Sequence, residues 1–559
     1  MTTSWSGSGV APGTAVAASW RADRPAPAVI GRRLPAGQLV ERAFHAVAAE
    51  LDQLARRAKA QGRDAAGDIV AVGALIASDA TLVDAARDAA AVSDDPLRAV
   101  RDAVELHAMA LEEVADATLR ERAADVRQVG RRVVDRLAHG AGGAPAAPPS
   151  HSFVLVAAEI GPADLLEHVG QGLAAAVAVR GGASSHAAII ARSVGLPMVT
   201  GVDSALLELP DHTRLLIDAG QGLVVAYPND DQVAQARSAT EREERRRVAL
   251  AAERGRRHAT ADGQPFTLLA NVATDIQTRI AVDAGAQGIG LLRTELPFLG
   301  ADRWPGEADH RRALRPIFAE AGNAAVTVRL LDFTNDKIPP FLAGTGGGPV
   351  GLDALLANPD ALTAQLSAVL DLGRRIDLRI MIPMATTTQE LRTIRAAVTA
   401  VAADLGEPAP PVGAMIETVA AAEAVHDLAE VADFFSIGTN DLAAQSLGLD
   451  RRDPRARPEL TAHPHVLRLV GRVATVGARS SRPVSVCGDA AAHPATLPLL
   501  LGAGIRTFSV ACAHVDQTRY LLRRLDTGRC AELVAEALKR GDADEVLALV
   551  AERTEVTLP

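Results

Sequence analysis

Apolar residues recur at three- and four-residue spacing along LVERAFHAVAAELDQLARRAKA (39–60) and AVRDAVELHAMALEEVADATLRERAADVRQVGRRVVDRLA (99–138). That period predicts amphipathic helices over about 36–140, with charged outer faces and almost no strand signal. The Gly/Pro-rich GAGGAPAAPPS (140–150) ends this block. From Phe153 short apolar runs take over: FVLVAAEI, AAAVAV before Arg180, LPMVTGV and TRLLIDA, read as strands alternating with helical stretches. After Tyr227-Pro228, DDQVAQARSATEREERRRVALAAERGRR (230–257) is charged and rich in helix formers, as suits an exposed connecting helix.

Beyond about 265 the chain repeats a strand-then-helix rhythm. Strands are predicted at FTLLANVA, GIGLLRTE, VTVRLLDF, LRIMIPM, PVGAMIET, FFSIGTND and PVSVCGDA, with a further one near GPVGLDAL (348–355). About eight strands in this length suit a (β/α)8 barrel, and no GxGxxG turn follows the first strand to favour a doubly wound sheet. The expected fold class is α/β: a C-terminal TIM-type barrel, and an N-terminal mixed α/β domain carrying an inserted helical bundle. The expected boundaries are 1–35 with 145–228 for the α/β domain, 36–144 for the bundle, 229–260 for the linker helix and 261–559 for the barrel.

Composition narrows the function. A chain of 559 residues exceeds one compact core. A net charge of −10 argues against nucleic-acid binding, which needs basic surface. Cys487, Cys512 and Cys530 are too few and too clustered for a disulfide framework and have no metal-ligand spacing. No signal-peptide pattern opens the sequence, and no apolar run approaches the roughly 18 residues that would span a bilayer. A cytoplasmic protein without membrane insertion is expected.

Two constellations carry chemistry. In a barrel, polar residues at the carboxyl ends of strands face the active site. Here those ends hold Arg293, Thr294 and Glu295; Arg329 and Asp332 with Lys337 beyond; Glu417; Asn440 and Asp441; and Cys487, with Arg451 soon after. Guanidinium forks suit phosphate and carboxylate, Glu417 and Asp441 are hard oxygen ligands of the kind Mg²⁺ takes, and a thiol can protonate carbon. The second constellation is GGASSHAAIIARSVGLPMVTG (181–201), which places His186 near a helix start beside Ser184 and Ser185. Backbone N–H groups there favour added negative charge, and a neutral imidazole is a competent nucleophile.

These motifs, with GVAPGTAVA and ERAADVRQVGRR, resemble enzyme I of the bacterial phosphoenolpyruvate:sugar phosphotransferase system along nearly the whole chain. The resemblance implies that Arg293, Arg329 and Arg451 hold phosphoenolpyruvate with Asn440 assisting. It implies that Glu417 and Asp441 bind Mg²⁺ and that Cys487 protonates the enolate to pyruvate. His186, supported by Ser184 and Ser185, would receive the phosphoryl group and pass it to a histidine phosphocarrier protein docked on the bundle. It also implies a homodimer through the barrel and a His domain that swings about the linker. The sequence departs from the family at Leu352 and Asp353, where an aromatic and an arginine of the fourth strand are expected, and at Ala443, Ala444 and Gln445 after Asn-Asp-Leu. The bundle stretch IVAVGALIASD lacks the acidic residue and histidine usual at the docking surface, and Ser184 replaces a threonine. Two alternatives compete: a non-catalytic regulatory homologue, motivated by Asp353, and a pyruvate phosphate dikinase or phosphoenolpyruvate synthase relative. The latter needs a large nucleotide-binding domain, which the helical first 150 residues do not resemble.

Overall fold

The structure is a computed structural model that describes residues 3–21, 34–60, 63–112, 117–139, 151–182, 185–334, 337–343, 348–450, 453, 455–554 and 558. The chain forms two compact units, Met1–Glu244 and Arg245–Pro559.

The first unit contains strands β1 (Thr3–Ser6), β2 (Ser8–Ala11), β3 (Thr14–Arg21), β4 (Phe153–Ala157), β5 (Leu173–Ala178), β6 (Met198–Thr200), β7 (Arg214–Asp218) and β8 (Leu223–Ala226). They form one sheet in the order β1-β8-β7-β3-β4-β5-β6-β2. Strands β3 and β4 are parallel neighbours, with Ala18 opposite Phe153, although more than 130 residues separate them. The helices α1 (Ala36–Ala60), α2 (Asp64–Ala77), α3 (Ala80–Ser93), α4 (Pro96–Glu112) and α5 (Ala117–His139) fill that crossover. The bundle is therefore an insertion into the α/β sheet, as the sequence predicts.

Helix α1 shows why the segment folds this way: Val40, Phe44, Val47, Leu51 and Ala55 share one stripe and are buried. The stripe joins a core that continues into Phe153 and Leu155 of β4 and Ile190 below the sheet. The other sheet face packs Val154, Val156, Val177, Leu215 and Ile217. Two further helices, α6 (Pro162–His168) and α7 (His186–Ser193), follow β4 and β5. Helix α8 (Asp230–Ala251) realises the predicted connecting helix, and the boundary between the two units falls within it.

In the second unit, β9 (Thr267–Val272), β10 (Gly288–Leu292), β11 (Ala325–Arg329), β12 (Leu378–Ile382), β13 (Val412–Ile416), β14 (Phe435–Ile437), β15 (Val484–Val486) and β16 (Thr507–Ala511) close into a parallel barrel. Strand β16 pairs with β9 and seals it. Seven predicted strands fall where the pattern placed them, and the eighth does not. GPVGLDAL contains the helix Gly351–Leu356, whose Leu352, Ala354 and Leu355 are buried. A short apolar run does not distinguish a buried helix turn from a strand. The missing strand is β16, where Thr507 and Ser509 interrupt the apolar pattern. All three cysteines are free thiols. Among the described residues no single helix is long and apolar enough to cross a membrane.

Candidate active site

In the first unit β5 delivers the chain to the Gly-rich turn, and His186 opens α7. Ser185 is the N-cap, its hydroxyl accepting the Ala188 N–H at 3.2 Å. That hydroxyl ties down the turn holding the histidine. Ser184 lies outside the described residues.

The His186 ring is anchored by Asp125 of α5, with Nδ1 3.2 Å from Oδ1. The other carboxylate oxygen, Oδ2, accepts from Arg122 Nη1 at 3.1 Å. A carboxylate only accepts, so it selects the tautomer with the proton on Nδ1 and leaves the Nε2 lone pair as nucleophile. The His186 side chain is 22% exposed and Asp125 12%, so the ring is reachable while its anchor is mostly shielded. Beside it lies a cavity of about 220 Å³ lined by Gln128, Arg131, Gly161, Ser185, His186 and Thr200, among others.

In the second unit the predicted residues that are described gather at the carboxyl ends of neighbouring strands. Arg329 ends β11 and is almost fully buried; its Nη2 meets Glu295 Oε1 at 2.6 Å and its Nη1 meets Asp332 Oδ2 at 3.1 Å. Lys337 Nζ reaches the same Glu295 oxygen at 2.9 Å. Burial works to raise the Glu295 carboxyl, but Arg329 and Lys337 outweigh it and hold the group below its ordinary range. Thr294 is a brace: its hydroxyl donates to the Arg329 carbonyl at 2.8 Å and accepts from Gln365 Nε2 at 3.0 Å. Gln365 also accepts the Leu331 N–H at 3.1 Å. This buried polar ladder holds the ends of β10 and β11 together.

Glu417 follows β13 directly and accepts the Met384 N–H at 2.8 Å. Met384 takes a left-handed φ of 54°, a conformation rarely adopted by non-glycine residues. Burial pushes the Glu417 carboxyl up to about 8; Arg329 opposes this, and the negative Asp332 and Asp441 add to it. Asp441 and Asn440 open the helix Thr439–Ser446 after β14, the neighbouring strand. Asn440 is locked to Asp489, donating Nδ2–H to Oδ2 at 2.8 Å and accepting the Asp489 N–H at 3.0 Å.

Cys487 follows β15, and burial is the first cause that pushes its thiol up to about 11. Ser436 opposes this, Glu417 adds to it, and the positive Arg329 and Arg293 oppose it. The thiol thus keeps its proton at neutral pH, as a proton donor to carbon must. Asn271 Nδ2 holds the Cys487 carbonyl at 2.9 Å and is itself oriented by Ser509 Oγ at 2.6 Å. Arg293 follows β10 and is half-buried, and Arg451 lies outside the described residues.

The donor chemistry around Glu417 fits a divalent cation. A buried carboxyl pushed to about 8, with further carboxylates acting on it, is what a bound cation would reverse. Among the described residues no group of three or more His, Cys, Asp and Glu could hold a metal alone. Mg²⁺ commonly uses one or two carboxylates and completes its shell with water and substrate oxygens.

The PEP-binding domain of the PEP-utilising enzymes matches residues 248–527, half of the chain; the mobile domain of the same enzymes matches 149–222, and their N-terminal domain 6–122. The chain belongs to the PEP-utilising enzyme family. Within that family it is 32% identical over 457 residues to the phosphoenolpyruvate-protein phosphotransferase of Lactococcus lactis subsp. lactis, covering 78% of this chain and 79% of that one. It is 29% identical to the protein of that name from Listeria innocua, covering 82% of each. It is also 33% identical over 464 residues to the multiphosphoryl transfer protein of Xanthomonas campestris pv. campestris, covering 81% of this chain and 55% of that protein. The chain thus spans about half the length of the multiphosphoryl transfer proteins it matches. The resemblance to enzyme I is thereby established.

Two departures from the family look different in three dimensions. Leu352 is a core residue and Asp353 is exposed on a helix that follows β11, so neither stands on a fourth strand. Ala443 and Ala444 are buried in core packing, and Gln445 accepts the Val419 N–H at 2.7 Å. Sequence reasoning missed Asp125, Asn271 and Gln365. Asp125 sat inside the quoted ERAADVRQVGRR match but read as helix surface; Asn271 is a half-buried polar residue within a strand, and Gln365 is a polar residue buried where apolar ones are the rule.

Proposed function

We propose that this chain is a phosphoenolpyruvate-protein phosphotransferase in which His186 carries the phosphoryl group. The observation that carries the reading is the Asp125–His186 pair, which leaves Nε2 of an accessible ring at a helix start as the nucleophile. The His-bearing unit and the barrel mouth must meet during transfer.

In the barrel, Arg293 and Arg451 bind the phosphate and carboxylate of phosphoenolpyruvate. Arg329, held by Glu295 and Asp332, contributes fixed positive charge, and Asn440 assists. Glu417 and Asp441 would hold Mg²⁺, which when bound neutralises charge on the phosphate and the enolate oxygen. His186 Nε2 forms the P–N bond as the bond between phosphorus and the enol oxygen breaks. The enolate left behind takes the Cys487 proton at its terminal carbon, giving pyruvate, and the thiolate recovers a proton from water. The phosphoryl group then passes to a histidine of a small phosphocarrier protein, with cleavage of the first P–N bond and formation of the second. Ser185 fixes the turn, while Thr294, Glu295 and Lys337 keep Arg329 in place.

The carrier docks on the helical bundle, the barrel mediates homodimerisation, the site is cytoplasmic, and the pathway is sugar uptake. The exposed position of Asp353 favours activity over a regulatory homologue, because the carboxylate is not among the buried strand-end groups. The test is stoichiometric pyruvate release: purified protein mixed with phosphoenolpyruvate and Mg²⁺ gives a burst of one pyruvate per chain, sustained only when carrier is added. ATP gives no phosphohistidine, whereas a dikinase would form it. Absence of the burst refutes the proposal.

A further inference from the structure

The cavity beside His186 contains an unusual set of hydrogen-bonding groups. Thr200, at the end of β6, is fully buried and its Oγ1 has no partner. Gln128 of α5 is 8% exposed and its Nε2 has no partner. Arg131, one turn on, places Nη1 3.4 Å from Glu159 Oε2, and its buried Nη2 has no partner. All three line the same cavity as His186. Native proteins pair more than nine in ten of their buried polar groups, so three in one cavity is informative. Each of the three can donate: a hydroxyl, an amide N–H and a guanidinium N–H. Their common complement is an acceptor-only anion.

The packing also keeps Gln128 in place. Gly161, the N-cap of α6, lies so close beneath its amide that a Cβ there would be 1.9 Å from Cδ and 2.1 Å from Nε2. A side chain at 161 would displace the amide from this position.

We infer that Gln128, Arg131 and Thr200 form the receptor for the phosphoryl group carried on His186. This rests on the phosphotransferase reading and extends it. Asp125 holds Nδ1, so a group on Nε2 extends away from α5's carboxylate. The three donors equal in number the three terminal phosphoryl oxygens. Charge-assisted hydrogen bonds of this kind are stronger than neutral ones. They lower the transfer tendency of the phosphohistidine and shield it from hydrolysis until a carrier arrives. Among the described residues Thr200 Oγ1, Gln128 Nε2 and Arg131 Nη2 have no other partner, and the phosphoryl oxygens supply one.

The test uses full-length protein with Thr200→Val, Gln128→Leu, Arg131→Met and Gly161→Ala, labelled both with phosphoenolpyruvate plus Mg²⁺ and chemically with phosphoramidate. The expected result has two halves. Unphosphorylated Thr200→Val and Gln128→Leu melt no lower than wild type, because each removes an unpaired buried group. Their phosphohistidine hydrolyses about tenfold faster and its ³¹P resonance shifts; Gly161→Ala reproduces the Gln128→Leu shift, and Gln128→Asn restores part of the lifetime. Labelling by phosphoramidate alone refutes the phosphotransferase reading yet still reports on the receptor. Wild-type ³¹P shift and lifetime in all four variants overturn the receptor, as does a large fall in melting temperature of the unphosphorylated Thr200→Val and Gln128→Leu proteins.

Discussion

Replacing Asp125 by Asn separates charge from shape at the nucleophile. The carboxylate sits 3.2 Å from His186 Nδ1 and is held by Arg122 at 3.1 Å. A hydrogen bond to a charged group contributes about 1.5–3 kcal/mol. This pair is partly exposed, with side chains 22% and 12% accessible, so solvent screening reduces that to about 1–2 kcal/mol. That corresponds to roughly a 5- to 30-fold change in the population of the reactive tautomer. Asn adds a further effect, because its amide can donate to Nδ1 and so favour the tautomer whose proton blocks Nε2. Asp125→Asn is therefore expected to slow phosphorylation more than Asp125→Ala, although Asn is the closer mimic in shape. The assay is single-turnover labelling by rapid quench with saturating labelled phosphoenolpyruvate and Mg²⁺. Equal rates in wild type and Asp125→Asn, or a faster Asn than Ala variant, would refute the tautomer argument.

The barrel mouth makes three more predictions. Glu417 titrates at about 8 in the fold against an ordinary value of 4.5. Between those values the folded chain keeps a proton that the unfolded chain releases, so this group's contribution to stability falls as pH rises through the window, by up to about 1.4 kcal/mol per unit. Urea unfolding should show that slope, Glu417→Gln should flatten it, and Mg²⁺ should stabilise wild type more at pH 7.5 than at pH 5.5. Cys487→Ala leaves the thermal transition nearly unchanged but slows pyruvate formation about 10²–10⁴-fold, measured by a coupled dehydrogenase assay; the native thiol, buried and pushed to about 11, resists alkylation at pH 7. Gln365→Leu leaves the Leu331 N–H without its acceptor and takes from Thr294 the donor its hydroxyl accepts, and costs about 1–3 kcal/mol in urea unfolding.

Much of this fold is legible because local periodicity and burial agree. The stripe of α1 and the strand runs from Phe153 and Phe266 are short-range patterns that survive into the structure. Strand β16 escaped because Ser509 points a hydroxyl at Asn271, so its polar position serves a contact more than two hundred residues away. Gly348–Leu355 misled for the complementary reason: Gly351 takes a φ of +57° and starts a helix whose apolar side happens to be short. The strand-end residues were legible because barrel topology converts sequence position into site position. Asp125 and Gln128 were not, since their role depends on α5 docking against the start of α7 and α6, a tertiary fact with no local signature. The same holds for Asp353, whose charge lies on the exposed side of a helix that otherwise packs into the core.

The central claim is that one imidazole takes the phosphoryl group, and labelled phosphoenolpyruvate tests it directly on wild type and His186→Ala. The account predicts an acid-labile, base-stable label on wild type, dependent on Mg²⁺, and none on the variant. A wild type that stays unlabelled, or a variant that labels equally, contradicts it.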